Sequence, residues 1–496
     1  MTAESLISLE DILCVVPALI VFLVSLLPIT IKVLSGNREH DPLLNIIYCI
    51  GGLSIAMVSA LALMPTDMGS RYVFSHALVV DNMSVLAISV VILLTIMTLL
   101  LSKEHMATKG AQFSEYLFLL LNASVGMIIL VMANDLIVMF IGIEMMSLCL
   151  YLLIALSNEQ RLSKEAAFKY FILGSFASAI FLYGVAFLYG AAGTTYIHEL
   201  VSVAAVQIST SYIYLFGVTL VILGFAFKVA IVPFHAWTPD VYEGSPTPLT
   251  AYMATAVKLV SFVAFLRILV GDYLIYDFSG GLIDVMQWLA VITMTLGNIA
   301  AIMQSSLKRM LAYSSIAHSG YIMMGLIAAS MGAEGWAGAT GVLFYVIAYS
   351  IMTLGAFSVC ILLEKDESTN VQIEDLKGLG KRNPWTAAWF SLFMLSLAGI
   401  PPLIGFFGKF FIFAGVLQQG LIWLAIWGAI NSVISVYYYL RPMVLMYMSD
   451  EEGVSVSPNY RLSHMVVALS GILVIGLGLA SDAVYKAVQI AVVSLF

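Results

Sequence analysis

Apolar residues run through this chain in long blocks separated by short polar loops. Fourteen blocks can be marked, at about 12–34, 44–64, 82–102, 114–132, 135–156, 165–190, 211–236, 247–270, 283–303, 308–330, 337–363, 385–417, 421–447 and 464–493. Blocks of this length predict membrane-crossing helices. In hydrocarbon every backbone group must bond within its own segment, which a helix achieves. The short alternating segments of a membrane β-barrel are absent. The pattern therefore predicts an all-α polytopic membrane protein with fourteen transmembrane helices. Two blocks do not read as straight helices. Block 385–417 is overlong and has Pro401 and Pro402 at its middle, and block 211–236 carries Pro233 near its end. Proline removes a backbone hydrogen bond and kinks or breaks a helix, so helices 7 and 12 are expected to be broken.

The loops set an orientation. Those after odd-numbered blocks hold Lys32, Arg38, Lys103, Lys109, Arg161, Lys164, Lys308, Arg309, Lys365, Lys377, Lys381, Arg382, Arg441 and Arg461. Those after even-numbered blocks hold Arg71, with Arg267 near one helix end. The positive-inside rule places the odd loops in the cytoplasm and both termini outside. Composition agrees with the class: 61% of the 496 residues are hydrophobic and 10% charged, against about 25% charged in soluble domains. The first block lacks a basic leader and a small-residue cleavage site, and reads as a retained helix. There is no basic tail and no nucleic-acid footprint. Cys14, Cys49, Cys149 and Cys360 are scattered through apolar runs with no metal-ligand spacing, so no metal site is expected. No phosphate-binding loop, dinucleotide fingerprint or nucleophile triad is present.

Against this background the buried charges stand out. Lys169, Lys228, Lys258 and Lys409 fall within blocks 6, 7, 8 and 12, and Glu144 lies near the centre of block 5. A charge at bilayer depth costs roughly 2.5–3.5 kcal/mol on insertion scales, so each is a functional-site hypothesis. An isolated carboxylate in hydrocarbon protonates or finds a cation. Lys228 is the expected partner of Glu144, a protonated carboxyl bonded to backbone being the alternative. A buried lysine is pulled toward neutrality by desolvation and back toward the ammonium by a nearby carboxylate, so moving that carboxylate could load and unload a proton. Lys409 follows the Pro401–Pro402 break, where a half-helix end leaves unpaired backbone groups and room for water. Lys169 could instead snorkel to the interface. His235 follows Pro233, is placed by the count at the outer end of block 7, and suits either a proton relay or a structural hydrogen bond. His318 sits among hydroxyls in AYSSIAHSGY, where a water chain and helix packing are both open.

A short repeat is visible. GFAFK at 224–228 matches GFFGK at 405–409, which maps helix 7 onto helix 12. An odd helix offset inverts one half relative to the other, the architecture of many secondary transporters. The same offset maps Lys258 onto Tyr439. The longest charged loop, 364–384, reads as a solvated or docking surface.

The runs FIGIEMMSL, EAAFKYFILGSFASAIFLYG, GFAFKVAIVPFHAWTPDVYEGSPTP, LKRMLAYSSIAHSGY and SLAGIPPLIGFFGKF resemble the antiporter-like subunits of respiratory complex I, the bacterial NADH–quinone oxidoreductase. The resemblance is strong over blocks 4 to 13. It implies two inverted five-helix repeats, helices 4–8 and 9–13. The chain then divides into helices 1–3 (1–110), a first repeat (111–270), a second, inverted repeat (280–450) and helix 14 (460–496). It implies proton translocation, with Glu144, Lys228, Lys258 and Lys409 as the translocating residues and Lys169, His235 and His318 as candidate relays. It implies a bacterial inner-membrane location and partners among the other membrane-arm subunits, including further antiporter-like ones. NADH, FMN, iron–sulfur clusters and quinone would be bound by other subunits, leaving none on this chain. A glutamate is expected at position 409 in one of the three antiporter-like branches, and a long lateral C-terminal helix in another; neither feature is present. Two rival readings remain: a subunit of a multisubunit Na⁺/H⁺ antiporter, which shares the Glu/Lys axis, and a purely structural membrane subunit.

Overall fold

The computed structural model describes residues 8–36, 41–65, 69–106, 112–156, 161–200, 212–270, 281–331, 335–364, 370–451, 453, 456, 460–493 and 495. Arg38, Lys109 and Lys365, counted above among the basic loops, lie outside these. The chain opens with α1 (Leu9–Leu34), α2 (Pro42–Ala62) and α3 (Asn82–Met106). Next come α4 (Phe113–Met132), α5 (Leu136–Leu156), α6 (Arg161–Ala192), α7 (Tyr212–Lys228), α8 (Trp237–Gly244) and α9 (Thr247–Val270). A second series follows: α10 (Gly281–Ile302), α11 (Leu307–Ala329), α12 (Trp336–Leu363), α13 (Pro384–Ala398), α14 (Ile404–Gln418) and α15 (Ile422–Met448). Helices α16 (Arg461–Leu479) and α17 (Ser481–Val493) end the order.

Eleven helices among the described residues are long and apolar enough to cross a membrane. Helix α11 spans 23 residues but is not one of them. Its serines and histidine lower its hydropathy because it faces other helices rather than lipid. Helices α7, α13 and α14 are too short, being pieces of broken blocks. Two details depart from the sequence pattern. Block 464–493 is two helices, α16 and α17, joined at Ala480. The loop after α2 holds a small antiparallel hairpin, β1 (Arg71–Val73) and β2 (Leu78–Val80), in which Arg71 pairs with Val80.

Contacts between loops sort them onto two faces. On one, Lys32 pairs with Glu115 at 2.6 Å, Glu104 caps the start of α16, and Lys377 and Lys381 pair with Glu451 and Asp450. Arg441 donates to the Gln304 carbonyl on the same face. The hydrogen bonds from Lys377 and Lys381 hold the carboxyls of Glu374 and Asp450 below their usual range. On the other face, Asp11 accepts from the Phe74 amide, Asn134 donates to the His76 carbonyl, and Asp135 forms a bridge with Tyr196. No contact among these joins an odd loop to an even one.

The core lies between the two series. Helices α9 and α12 are enclosed along their whole apolar lengths, whereas α1, α2, α6, α15 and α16 bury less than half of theirs. The α4–α5 and α10–α11 hairpins cross in the same way: a Cβ on Gly126 would come within 2.6 Å of the Met146 amide nitrogen, and one on Gly297 within 2.6 Å of that of Ala317. The step along the chain from Gly126 to Gly297 equals the step from Met146 to Ala317, so the two close crossings have the same spacing.

Candidate functional site

Both predicted breaks form, and both use the same helix stop. Helix α7 ends at Lys228, five residues before Pro233. Ala230 takes a left-handed backbone (φ 60°), its amide donates to the Phe227 carbonyl, and the Ile231 amide reaches back to Ala226 at 2.8 Å. Helix α13 ends with left-handed Gly399 (φ 89°), whose amide donates to Ser396 while Ile400 reaches back to Leu395 at 3.0 Å. This is the pattern in which a left-handed residue satisfies the last carbonyls of a helix. The step from Ala230 to Gly399 is nearly the step from Gly126 to Gly297. The GFxxK match, which sets Lys228 on Lys409, needs a longer step and is therefore not the structural register. Lys228 precedes its break and Lys409 follows its own, so the five-residue match and the mapping of Lys258 onto Tyr439 do not describe equivalent positions.

What the two lysines share is a helix C-terminus. Lys228 is the last residue of α7, and Lys409 on α14 reaches back to the Ala398 carbonyl at the end of α13, 2.9 Å away. A cation is favoured where a helix dipole ends negative. Lys228 is 3% exposed and Lys409 5%. Lys228 Nζ donates to Ser147 Oγ at 2.6 Å. Lys409 Nζ also donates to Ser432 Oγ at 3.1 Å and lies 5.0 Å from the centre of the Tyr321 ring.

Lys258 sits on enclosed α9, directly after a π-helical turn at Met253–Val257. Such turns are common where a helix is shaped for function. Its Nζ donates to the Ser315 carbonyl at 2.5 Å and to Ser319 Oγ at 2.7 Å. Ser319 in turn donates to the Val229 carbonyl at 2.6 Å, a group freed by the α7 break. His318, 1% exposed, is hydrogen-bonded through Nδ1 to Tyr345 at 2.5 Å and through Nε2 to Tyr439 at 2.8 Å. Its ring lies 5.1 Å from that of Tyr349 and 5.9 Å from that of Tyr321. A buried polar line thus runs from Ser147 through Lys228, Ser319, Lys258 and His318 to Tyr321 and Lys409, linking the two breaks.

Three expected placements are corrected. Glu144 and Lys228 form no ion pair within 4 Å. Glu144 lies on the outward stripe of α5 with exposed Ile137, Ile141, Leu148 and Leu152, and accepts from Ser178 of α6. Ser147, one turn further on, faces inward and takes the Lys228 contact instead. His235 is not at an outer end. It lies on the linker to α8, whose Asp240 and Glu243 pair with Arg309 at 3.0 and 2.8 Å on the basic-loop face. The Nδ1 of His235 is buried without a hydrogen-bond partner among the described residues. Asp240 and Glu243 are on α8. Lys169 is not buried: its side chain is 38% exposed and bridges Glu165 and Asp240, each at 2.7 Å.

The pattern of runs missed several groups. Lys308, counted as a loop residue, is buried, donates to the Ser245 carbonyl at 2.8 Å and lies 3.9 Å from Glu364. Arg267 is buried too and grips Asp81 at 2.7 and 3.2 Å. Both look like interface residues by position alone, and only the packing of distant helices encloses them. The axis tyrosines Tyr321, Tyr345, Tyr349 and Tyr439 are indistinguishable in sequence from lipid-facing aromatics.

Residues 133–435 match the family described as NADH:quinone oxidoreductase/Mrp antiporter, TM. NADH-quinone oxidoreductase subunit N of Bdellovibrio bacteriovorus is 50% identical over 484 residues, 97% of this chain and 98% of that one. Subunit N of Trichlorobacter lovleyi is 43% identical over 383 residues, 76% of this chain and 77% of that one. A chain of respiratory complex I from Thermus thermophilus has the same fold at a TM-score of 0.80 and 31% identity, covering 96% of this chain and 100% of that one. A chain of the Mrp complex from Dietzia superposes as well, at 0.83 over 98% of both chains, but at 22% identity. That likeness speaks for the fold alone, so the sequence relatives decide the branch. The chain belongs to the NADH:quinone oxidoreductase/Mrp antiporter membrane family, within its NADH-quinone oxidoreductase subunit N group.

Proposed function

We propose that this chain is a membrane-arm subunit of a proton-translocating NADH:quinone oxidoreductase, seated in the bacterial inner membrane. The observation that carries it is the buried line of three lysines and a histidine between two helix breaks, in a chain half identical to subunit N of Bdellovibrio bacteriovorus. The line gives a proton alternating acceptors across the enclosed core. Lys228, Lys258 and Lys409 load and unload it, and His318 with Tyr345 and Tyr439 joins the two halves.

The Glu144 contact belongs to this reading in an altered form. In the present conformation the Glu144–Lys228 pair is open, with Ser147 holding the lysine and Ser178 the carboxylate. Closing it would draw the ammonium toward the outer stripe of α5. That stripe, apolar with one carboxylate, is where a neighbouring membrane-arm subunit would seat. A change of charge state there, started by quinone reduction elsewhere, would then reach Lys228 first. Lys169, paired with Asp240 at the basic-loop face, would serve the mouth of the path rather than its middle, with His235 on the linker behind it.

Fourteen crossings, with helices 4–8 (111–270) and 9–13 (280–450) as inverted repeats between helices 1–3 (1–110) and helix 14 (460–496), account for the sorting of loops onto two faces. They also account for the matching stops at Ala230 and Gly399. The basic-loop face is cytoplasmic in this reading and both termini are outside. NADH, FMN, the iron–sulfur clusters and quinone are held by other subunits. Purification of the tagged protein from its own membranes tests the assignment. Flavin- and iron–sulfur-containing partners are expected to accompany it; a cofactor-free antiporter assembly would overturn it.

A further inference from the structure

Beneath Lys258, toward the basic-loop face, the structure has a second polar feature that the axis does not use. Helix α8 ends and α9 begins at Ser245–Thr247, and two buried charges sit on these helix ends. Lys308 donates to the Ser245 carbonyl at the C-terminus of α8. Glu364 accepts from the Thr247 hydroxyl at the N-terminus of α9. Each charge has the sign its helix end favours, and the two lie 3.9 Å apart. Above them stand three hydroxyls. Tyr242 of α8 and Tyr349 of α12 both approach Ser315 of α11, and Tyr349 also approaches Thr353. Yet Tyr242 Oη, Ser315 Oγ and Thr353 Oγ1 are buried without a completed hydrogen bond among the described residues, and all three residues are at most 3% exposed. Buried hydroxyls of this kind need water partners. Lys258 donates to the carbonyl of the same Ser315. Seven residues of α11 separate Lys308 from Ser315, a rise of roughly 10 Å.

We infer that Glu364 is the proton-loading residue for Lys258, and that Tyr242, Thr353 and Ser315 line a short hydrated column between them. The inference rests on the proton-translocating reading above. A proton from the basic-loop face binds the Glu364 carboxylate, passes along hydroxyls and water, and is bound by the Lys258 amine. The carboxylate is then free for the next proton. One proton enters for each that arrives, and no electron moves. Lys308 is a positioning residue that keeps the carboxylate on the α9 helix end.

The test uses the assembled complex in native membranes and reads two quantities: electron transfer from NADH to quinone, and protons translocated per electron. Glu364→Gln keeps the volume and an acceptor for Thr247 but cannot carry a proton. It is expected to lower the proton-to-electron ratio to the level of Lys258→Ala while the complex assembles, and Glu364→Asp to restore it. Tyr242→Phe keeps the ring and is expected to lower the ratio as well. An unchanged ratio in Glu364→Gln, with a lowered one in Lys258→Ala, overturns the inference and leaves the function standing. Unchanged ratios in both overturn the function itself. If Glu364→Gln fails to assemble, Tyr242→Phe decides: an unchanged ratio there sinks the column.

Discussion

Lys228, Lys258 and Lys409 are each held by neutral oxygens, a hydroxyl or carbonyl, with no carboxylate within 4 Å among the described residues. A buried ammonium without a counter-ion is costly. A small change in its surroundings can therefore change its proton affinity, which a tight ion pair would resist. On this basis Ser147→Ala, which removes the hydroxyl that holds Lys228, is expected to lower proton translocation as Lys228→Ala and Glu144→Ala do, with the complex still assembled. Full translocation in all three would remove this end of the axis from the mechanism. Gly399 supports the other end. It has a left-handed φ of 89°, and a Cβ there would come within 3.0 Å of Lys409 Cδ. Gly399→Ala is expected to destabilise the protein by about 1–2 kcal/mol from backbone strain alone, seen as a lower melting temperature of the solubilised complex. It should also shift Lys409, so the loss of translocation should exceed what the stability change explains.

At the scale of elements, the broken helices and the enclosed helices have different supports. The α7 break is closed by Trp237 Nε1, which donates to the Phe227 carbonyl at 3.0 Å, and by Thr293, which accepts from the Val232 amide at 3.0 Å. The backbone groups released by the break are thus taken up inside the protein, as membrane depth requires. Enclosed α9 is anchored at its far end by Arg267, which grips Asp81 before α3 and also donates to the Val131 carbonyl at 3.2 Å. Removing one partner of a buried pair leaves an uncompensated charge and costs about 3–5 kcal/mol. Arg267→Leu is therefore expected to reduce the amount of assembled complex sharply. The double variant Asp81→Leu with Arg267→Met should recover most of it. If the single variant assembles normally, the pair is not the anchor described here.

Across the whole molecule, the loops divide onto two faces by contact, and the lysine-rich one is the face of Lys169, Asp240, Arg309 and Glu364. The proposed mouth of the proton path therefore opens where basic residues concentrate. Sidedness follows from two labels. A cysteine at Glu374, whose side chain is 56% exposed, is expected to react only from the cytoplasmic side. A cysteine at Tyr72 on β1, 42% exposed, should react only from outside. The reverse pattern would invert the topology and with it the direction assigned to the path.

The run lengths alone determined the class, because hydrocarbon permits few backbone solutions. They also located both breaks through Pro233 and Pro401–Pro402, singled out Glu144, Lys169, Lys228, Lys258 and Lys409 by the cost of burying them, and pointed to His318 by the hydroxyls around it. The specific runs identified the family. Partners were not legible, since a lysine in an apolar run does not say which oxygen it will meet. Glu144 and Ser147 are three residues apart on one helix, and only the packing of α5 against α6 and α7 turns the carboxylate outward and the hydroxyl inward. Lys308, Glu364, Asp81 and Arg267 read as interface charges because each stands at the end of its run. Enclosure by helices far away in sequence makes them buried. The repeat register belongs to the same group. Five matching letters set Lys228 on Lys409, whereas the helix stops set Ala230 against Gly399 and the hairpin crossings set Gly126 against Gly297, a shorter step. Backbone geometry is constrained at a stop or a close crossing, and a short string of letters is not.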